Sequence, residues 1–500
     1  ARAHDVSLST VQSLYTFYFP HGAEAKIRVC NGLPCVLRGR RKAMDEFDAS
    51  GLDCGTVSCL GYCAKAPVVW NDGRYYSYTP NGLEEIEESK LEYVEANVQR
   101  LPQYRSVGGY AALERFLGEK DKLLVLGVLE DAFLRGMGGA GFPVHLKWKA
   151  VVNSKTPDRI VVVNGHEGEP GTFKDRLIME REPHRLLEGA LIAAITVGAQ
   201  HVVLALRSEY ANATSVLEQS IAELKDHSRV AGFERQLPGI TLRSLGGSYI
   251  TGEETALFEA MEGRRSEPRL RPPFPAEVGL YGKPTLVQNV ETLASIPRLL
   301  AEHYGNAGKG TIIKYYCLTG DVQRPGAYRE SIGITAASLL ERDGETSVQG
   351  LKAFLPGGLS GGLLPASKLD VALDFDAVKK EGCGLGTGAI MPIGGDRCIV
   401  EVLQTISDFF AAESCGKCVP CRLGTVKLAS LMHSLREGDA TEEELHAGTT
   451  LAELMQETSF CALGQAAGKS FLDAMKYFEG EIVAHTRGDC PARVCHTGGE

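Results

Sequence analysis

Three cysteines stand two residues apart in Glu-Ser-Cys415-Gly-Lys-Cys418-Val-Pro-Cys421-Arg, and Cys461 follows in the string SFCALG. Thiolates at that spacing on one loop can take three corners of a cubane, and a distant cysteine can take the fourth. The set therefore reads as four ligands for [4Fe–4S]; zinc more often shows two pairs. A second group is Cys30-Asn-Gly-Leu-Pro-Cys35 with Cys59-Leu-Gly-Tyr-Cys63. This is unlike the C-x2-C of a dithiol oxidoreductase and suits two loops that each give two thiolates to [2Fe–2S]. Zinc and an empty site are the alternatives, with Cys54 close by in sequence. Cys317, Cys383, Cys398, Cys490 and Cys495 show no usable ligand spacing and read as small buried apolar residues.

Glycine and carboxylate strings come next. Gly136-Met-Gly138-Gly139-Ala-Gly141 matches G-x-G-x-x-G, but a dinucleotide fingerprint needs a buried strand before it. Leu126, Leu129 and Phe133 instead recur at helical intervals. The glycines still let backbone N–H groups approach a phosphate, to which Lys147 can add charge. The β-branched run Ile160–Val163 ends in Asn164-Gly-His166-Glu167-Gly-Glu169, with Lys174, Asp175 and Arg176 following. That reads as a buried strand delivering side chains to a site at its carboxyl end, where Asn164 can meet the uracil-like edge of a flavin. In Tyr249-Ile-Thr251-Gly252-Glu253-Glu254, Thr251 and the two glutamates read as first-turn residues of a helix.

These residues need a sizeable scaffold. Five hundred residues exceed one compact core, and a net charge of −10 without a basic stripe excludes a nucleic-acid footprint. Leu187 to Leu206 is broken by Glu188, Gly198, Gln200 and His201, and reads as a buried helix entering the strand HVVLAL rather than a membrane span. The opening ARAHDVSLSTVQ has no apolar signal core, and 14 clustered thiols suit a reducing compartment, so a cytoplasmic chain without disulfides is expected. The text around Cys415–Cys421 has helical spacing, which places that cluster at the end of a small bundle.

Together the segments RGMGGAGFPVHLKW, VVVNGHEGEPGTFKDR, REPHRLLEG, GGSYITGEETAL, PRLRPPFPAEVGLYGKPTLVQNVETLA, LPGG, GLGTGA, ESCGKCVPCR and SFCALG resemble the NADH-binding flavoprotein subunit of respiratory complex I and its soluble relatives. The resemblance implies a multidomain α/β chain. Its expected parts are a thioredoxin-like [2Fe–2S] domain over 1–100, an α/β domain for FMN and NADH over 105–309 that is not a typical Rossmann fold, a β-grasp domain over 310–397, a helical [4Fe–4S] bundle over 398–485 and a tail over 486–500. It places Gly136, Gly138, Lys147, Asn164, His166, Glu167, Tyr249, Gly252, Gln288 and Asn289 around FMN. Phe142 and Phe274 fall where the nucleotide is held between rings, with Glu169, Glu253, Glu254 and Arg271 close by. Hydride would pass directly between nicotinamide and flavin, so no protein group is expected to act as a catalytic nucleophile.

The sequence departs from the family at His166, where an aspartate is usual, at Ala150 for an aromatic and at Met137 for an arginine. If Glu254 faces the adenosine ribose, it repels a 2′-phosphate and selects NAD over NADP. Among relatives, the fused N-terminal domain and VCNGLPCVLRG most resemble the beta subunit of a molybdenum-dependent, NAD-linked formate dehydrogenase. This implies a molybdopterin-containing catalytic subunit and a small [2Fe–2S] subunit as partners. The diaphorase subunit of an NAD-reducing hydrogenase is the rival reading, and a fused chain of the complex I type is the third. An adaptor with empty sites is the reading from another class, against which the full set of site residues speaks.

Overall fold

The computed structural model describes residues 25–86, 98–119, 121–232, 237–305 and 311–495. The opening segment judged for a signal peptide lies outside them. Among the described residues, no helix is long and apolar enough to cross a membrane.

The first sheet holds β1 (Ile27–Cys30), β2 (Cys54–Val57), β3 (Val68–Asn71), β4 (Arg74–Thr79) and β5 (Gly82–Glu85), in the order β2-β1-β3-β4-β5. Only β1 and β2 run parallel; the others pair antiparallel. The β3–β4 turn is Asp72-Gly73, both at positive φ, the two-residue connection whose twist matches a right-handed hairpin. The helices Leu33–Leu37 and Arg40–Ala49 fill the crossover between β1 and β2.

The second sheet is wholly parallel: β6 (Ile160–Gly165), β7 (His201–Arg207), β8 (Gly239–Leu245) and β9 (Thr285–Asn289), in the order β8-β7-β6-β9. Ile160 to Val163 are all buried, as a strand covered on both faces must be. The long apolar stretch divides as its residues suggest: the helix Pro183–Val197 stops at Gly198, which takes the left-handed φ of 73° and turns the chain into β7. From β6 the chain builds outward to β7 and β8, then returns to lay β9 on the other side. The order therefore reverses between β6 and β9, and a crevice opens at their carboxyl ends. Asn164 and Asn289 are register partners there.

A mixed sheet follows, of β10 (Ile313–Leu318), β11 (Gly326–Ser331), β12 (Leu351–Leu355), β13 (Leu364–Pro365) and β14 (Ala389–Gly394), ordered β11-β10-β14-β12-β13 with β10 parallel to β14. The helices Ile399–Glu413, Val419–Glu437, Glu442–Thr458 and Lys469–His485, with the short Ala462–Ala466, form the terminal bundle. One apolar core joins this bundle to Leu33 and Leu37 of the first unit and to Met391 and Ile393 of β14.

Candidate functional site

The glycine loop has no strand before it. The helix Lys122–Asp131 carries Leu126 and Leu129, but Phe133 lies beyond its end at φ 51° and is exposed, so the helical spacing read through Phe133 overran the element. The loop is a clamped hairpin instead: Gly136 N–H donates to Phe142 O (2.9 Å), Val144 N–H to Leu134 O (3.0 Å) and Arg135 Nε to Gly141 O (2.6 Å). Met137 N–H donates to Thr292 Oγ1 (2.9 Å), fastening the loop to the start of the helix Val290–Tyr304. A Cβ on Gly138 would stand 3.0 Å from Asn289 Cβ, whereas one on Gly139 would meet nothing within 4 Å. The loop thus lies flush on β9 with an open outer side, the shape a backbone cradle for a phosphate or ring requires.

Asn164 is partly committed to the protein: its Nδ2 donates to Gly252 O (2.8 Å) and its Oδ1 accepts His166 N–H (3.1 Å). One amide hydrogen and one lone pair remain for a ligand. His166 is buried against Gly247 and Thr251, and neither ring nitrogen has a protein partner. Burial holds it neutral, with its pKa down at about 3, and the Arg207 charge adds to this. Two buried ring nitrogens without partners suit a site that a polar ligand completes.

Charges flank the floor of the crevice. Glu167 accepts Asp175 N–H (3.0 Å) and Arg176 N–H (3.2 Å), and burial, then Asp175, push its carboxyl up to about 7. Lys174 Nζ lies 2.6 Å from Asp175 and 3.1 Å from Glu291, and Lys314 Nζ lies 3.2 Å from Glu291, all of them buried. Asn289 Nδ2 donates to Asp175 Oδ2 (2.6 Å). Glu291 stays below the usual carboxylate range despite its burial, because both lysines face it. Arg207 Nη1 (2.9 Å) and the Tyr210 hydroxyl (3.1 Å) both donate to Glu167 O. Lys314, Glu291 and Arg207 were not singled out from sequence. Lys314 lies in the apolar strand β10 and Glu291 in the first turn of an apolar helix, and those positions were their one signal.

On the outer side, Lys147 and Glu254 pair at 2.6 Å, and Arg271 lies 3.1 Å from Glu254 and also pairs with Glu253. Glu254 is held below the usual range, since Lys147 and Arg271 outweigh its burial. These pairs bring together the segments that carry Phe142 and Phe274, each 54% exposed, an unusual state for phenylalanine and one that leaves both rings free for a planar ligand. The helix Glu254–Met261 is capped by Glu253, whose carboxylate accepts Thr255 and Ala256 N–H. Thr251 lies in the preceding turn Tyr249–Gly252, so the expected first turn is corrected: only Glu254 belongs to it. Gln288 is buried within β9, and Ala150 is exposed on the helix Val144–Val152.

Glu169 accepts the Tyr249 hydroxyl (2.6 Å), Ser360 N–H (2.9 Å) and Ser360 Oγ–H (3.1 Å), joining three segments behind the crevice. Tyr249 N–H donates to Glu413 Oε2 (2.7 Å), and its ring meets Phe409 edge-on. The crevice is thereby tied to the helix that precedes Cys415.

Both thiol groups adjoin these segments. Cys415, Cys418, Cys421 and Cys461 line one cavity with Ile250, Pro268, Lys417, Phe460 and Leu463, four soft donors in an apolar setting that fit an iron–sulfur cluster. Burial pushes the Cys421 and Cys461 thiols up to about 11, so metal loading must release protons. In the first unit, Cys59 Sγ and Cys63 Sγ are 3.7 Å apart. Contact with Cys30, first of all, pushes Cys59 up to about 12, and Cys30 in turn touches Cys35. Cys63 Sγ accepts Gly171 N–H (3.2 Å), from the loop between Glu169 and Lys174. Cys54 stands apart, bonded to Asp48. Cys317 and Cys383 are buried single thiols as expected, but Cys398, Cys490 and Cys495 are not isolated: they gather around His485.

Residues 129–298 match the family described as the Nuo51 FMN-binding domain, 401–485 the NADH-ubiquinone oxidoreductase-F iron–sulfur binding region, and 1–89 the thioredoxin-like [2Fe–2S] ferredoxin. An NADH-quinone oxidoreductase chain of Rhizobium meliloti is 38% identical over 400 residues, 77% of this chain and 94% of that protein. The corresponding NADH-quinone oxidoreductase chain of Streptomyces coelicolor is 37% identical over 404 residues, 78% and 89% of the two chains. A chain in the crystal structure of an NAD+-reducing [NiFe]-hydrogenase in the H2-reduced state superposes with a TM-score of 0.83 at 26% identity, covering 97% of this chain and 88% of that one.

Proposed function

Because the chain belongs to the family of NADH-binding flavoproteins of NADH-quinone oxidoreductase, and so is an NADH-oxidising flavoprotein subunit with FMN, [4Fe–4S] and [2Fe–2S] cofactors, we propose that it exchanges electrons between NAD(H) and a formate-oxidising partner. One observation carries the electron-transfer part of the reading: the loop after β6 reaches both thiol groups, through Gly171 N–H on Cys63 and through Gly168 packed against Tyr249, whose neighbour Ile250 lines the Cys415–Cys461 cavity.

When bound, FMN supplies hydride acceptance and one-electron release. The chain's own residues do the rest. The Gly136–Gly141 hairpin presents its backbone, and the spare amide hydrogen and lone pair of Asn164 fix the orientation of the ring. Lys174 and Lys314, paired with Asp175 and Glu291 behind Asn289, would set a buried charge network beside the flavin site, with the lysine charge offset by those carboxylates. Phe142 and Phe274 stack the nucleotide, and Glu254, set between Lys147 and Arg271, takes the ribose hydroxyls. No side chain needs to act as nucleophile.

The donor lies on another polypeptide. The text VCNGLPCVLRG supports a molybdopterin subunit acting on formate, with a small [2Fe–2S] subunit between, in the cytoplasm, where cysteines stay reduced and available as ligands. The likeness to the NAD+-reducing [NiFe]-hydrogenase chain favours a second reading, with hydrogen as donor. An iron, sulfide and flavin count on anaerobically purified chain, with NADH-driven dye reduction, tests the first part: about one FMN and about six irons are expected. Absence of dye reduction after FMN is restored defeats it. Formate-dependent NAD reduction with molybdenum in the co-purified complex supports the first donor; hydrogen-dependent reduction with nickel replaces it with the second.

A further inference from the structure

The last ten described residues do not trail from the bundle. After the helix Lys469–His485 the chain turns back: Asp489 N–H donates to Ala484 O (3.1 Å), Arg487 pairs with Glu442 (3.1 Å), and Gly488 passes so close to Gly438 that a Cβ there would stand 3.0 Å from its Cα. The turn delivers two cysteines to the first residue of the bundle. Cys398 Sγ is 3.5 Å from Cys495 Sγ and 3.3 Å from His485 Nε2, and one donor atom each from Cys398, His485, Cys490 and Cys495 lies within 4.8 Å of all the others. Cys398, His485 and Cys490 are buried and Cys495 half-buried.

We propose that Cys398, His485, Cys490 and Cys495 bind one structural zinc ion, a metal site separate from both iron–sulfur sites. Three thiols and one imidazole form a closed Cys3His set, and a tetrahedral ion with Zn–S of about 2.3 Å sets its sulfurs about 3.8 Å apart, close to the spacing here. The outer contacts agree. His485 Nδ1 lies 2.8 Å from Glu481 O, so Nδ1–H donates to the carbonyl and Nε2 is the nitrogen turned to the thiols, where a metal would displace its proton and take the lone pair. Cys398 is the N-cap residue of the helix Ile399–Glu413; contact with Cys495 and burial hold its thiol up in the metal-free chain, and the positive end of the helix works against them in favour of the thiolate. Backbone N–H groups of Val494 and Cys495 do the same for Cys490. Donor atoms this close enclose a single ion rather than a cluster, in which each iron takes its own ligand.

Position separates this site from electron transfer. Cys398 and Cys415 flank the helix Ile399–Glu413, so the two sites lie at its opposite ends, roughly 25 Å apart at 1.5 Å per residue. A redox-inert ion suits that place. It would close the bundle by joining its first residue, its last helix and the tail, at the junction with β12 where Glu481 accepts Ile399 N–H (2.8 Å) and pairs with Lys352 (3.1 Å).

The test is zinc K-edge X-ray absorption with elemental analysis on the full chain, expressed with zinc and purified without chelator. About one zinc per chain in a shell of three sulfurs and one nitrogen is expected. Cys490→Ser and Cys495→Ser should each remove that zinc while the iron and flavin counts hold, and should open the tail to trypsin at Arg487 and Arg493. Three results overturn the proposal: no zinc, a sulfur-only shell that assigns the ion to a cluster site, or a denatured mass about 2 Da low that reveals a disulfide. The wild-type spectrum decides even if the variants fail to fold.

Discussion

Replacing His166 with glutamine should make the protein less sensitive to acid. The imidazole is buried with no protein partner for either nitrogen, and its pKa lies at about 3 against an ordinary 6.5. Between those values the unfolded chain holds a proton that the folded chain refuses, so His166 subtracts stability as pH falls through 6.5. From pH 7.5 to pH 5.0 this amounts to about 2 kcal/mol at 1.36 kcal/mol per pH unit. For a cooperative unit of about 200 residues, it lowers the melting temperature by roughly 4–8 °C. Glu167 acts in the opposite sense. Its raised pKa of about 7 means that stability is lost as pH rises from its ordinary value towards 7, so a wild-type profile alone mixes two slopes. The assay is therefore anaerobic thermal unfolding of wild type and His166→Gln across that range, read as a difference. Wild type should lose ground to the variant as pH falls. A difference that stays flat within about 1 °C would falsify the burial argument.

Other perturbations have equally definite outcomes. Glu254→Gln removes the negative charge that bridges Lys147 and Arg271, leaving Lys147 unpaired and Arg271 with Glu253 alone; the NADPH:NADH rate ratio should rise about tenfold, and an unchanged ratio removes Glu254 from the ribose site. Gly138→Ala drives a Cβ to 3.0 Å from Asn289 Cβ, and the strain of about 1–3 kcal/mol should appear as weaker FMN retention in equilibrium dialysis while the iron count holds. Gly189→Ala would place a Cβ 1.9 Å from Leu293 O, between the helices Pro183–Val197 and Val290–Tyr304; a loss of more than about 3 kcal/mol should be seen as a lower unfolding temperature or insoluble chain. Cys418→Ser should cut the iron count from about six to about two with flavin retained, and a full count would place that cluster elsewhere.

The ligand spacing of Cys415, Cys418 and Cys421, the β-branched run into Asn164 and the left-handed stop at Gly198 were legible in the chain, because each depends on neighbours a few residues away. The same locality let the glycine loop be refused as a dinucleotide fingerprint, since the helix before it is visible in its own periodicity. Long-range closure was not legible. The reversal of strand order that opens the crevice between β6 and β9 depends on where β9 returns, and no local pattern encodes that. Lys314 and Glu291 become partners only when β10 is laid beside the helix Val290–Tyr304, and a lysine in an apolar strand shows its neutralising carboxylate only then. Cys398 is 87 residues from His485, so its ligand partnership was hidden although the regular interval from His485 to Cys490 and on to Cys495 stood in plain text. Sequence determines which groups can bind iron, flavin and nucleotide, because chemistry resides in side-chain type and short spacing. Tertiary structure alone decides which of them share a site and which are desolvated, because burial and distance are properties of the assembled core.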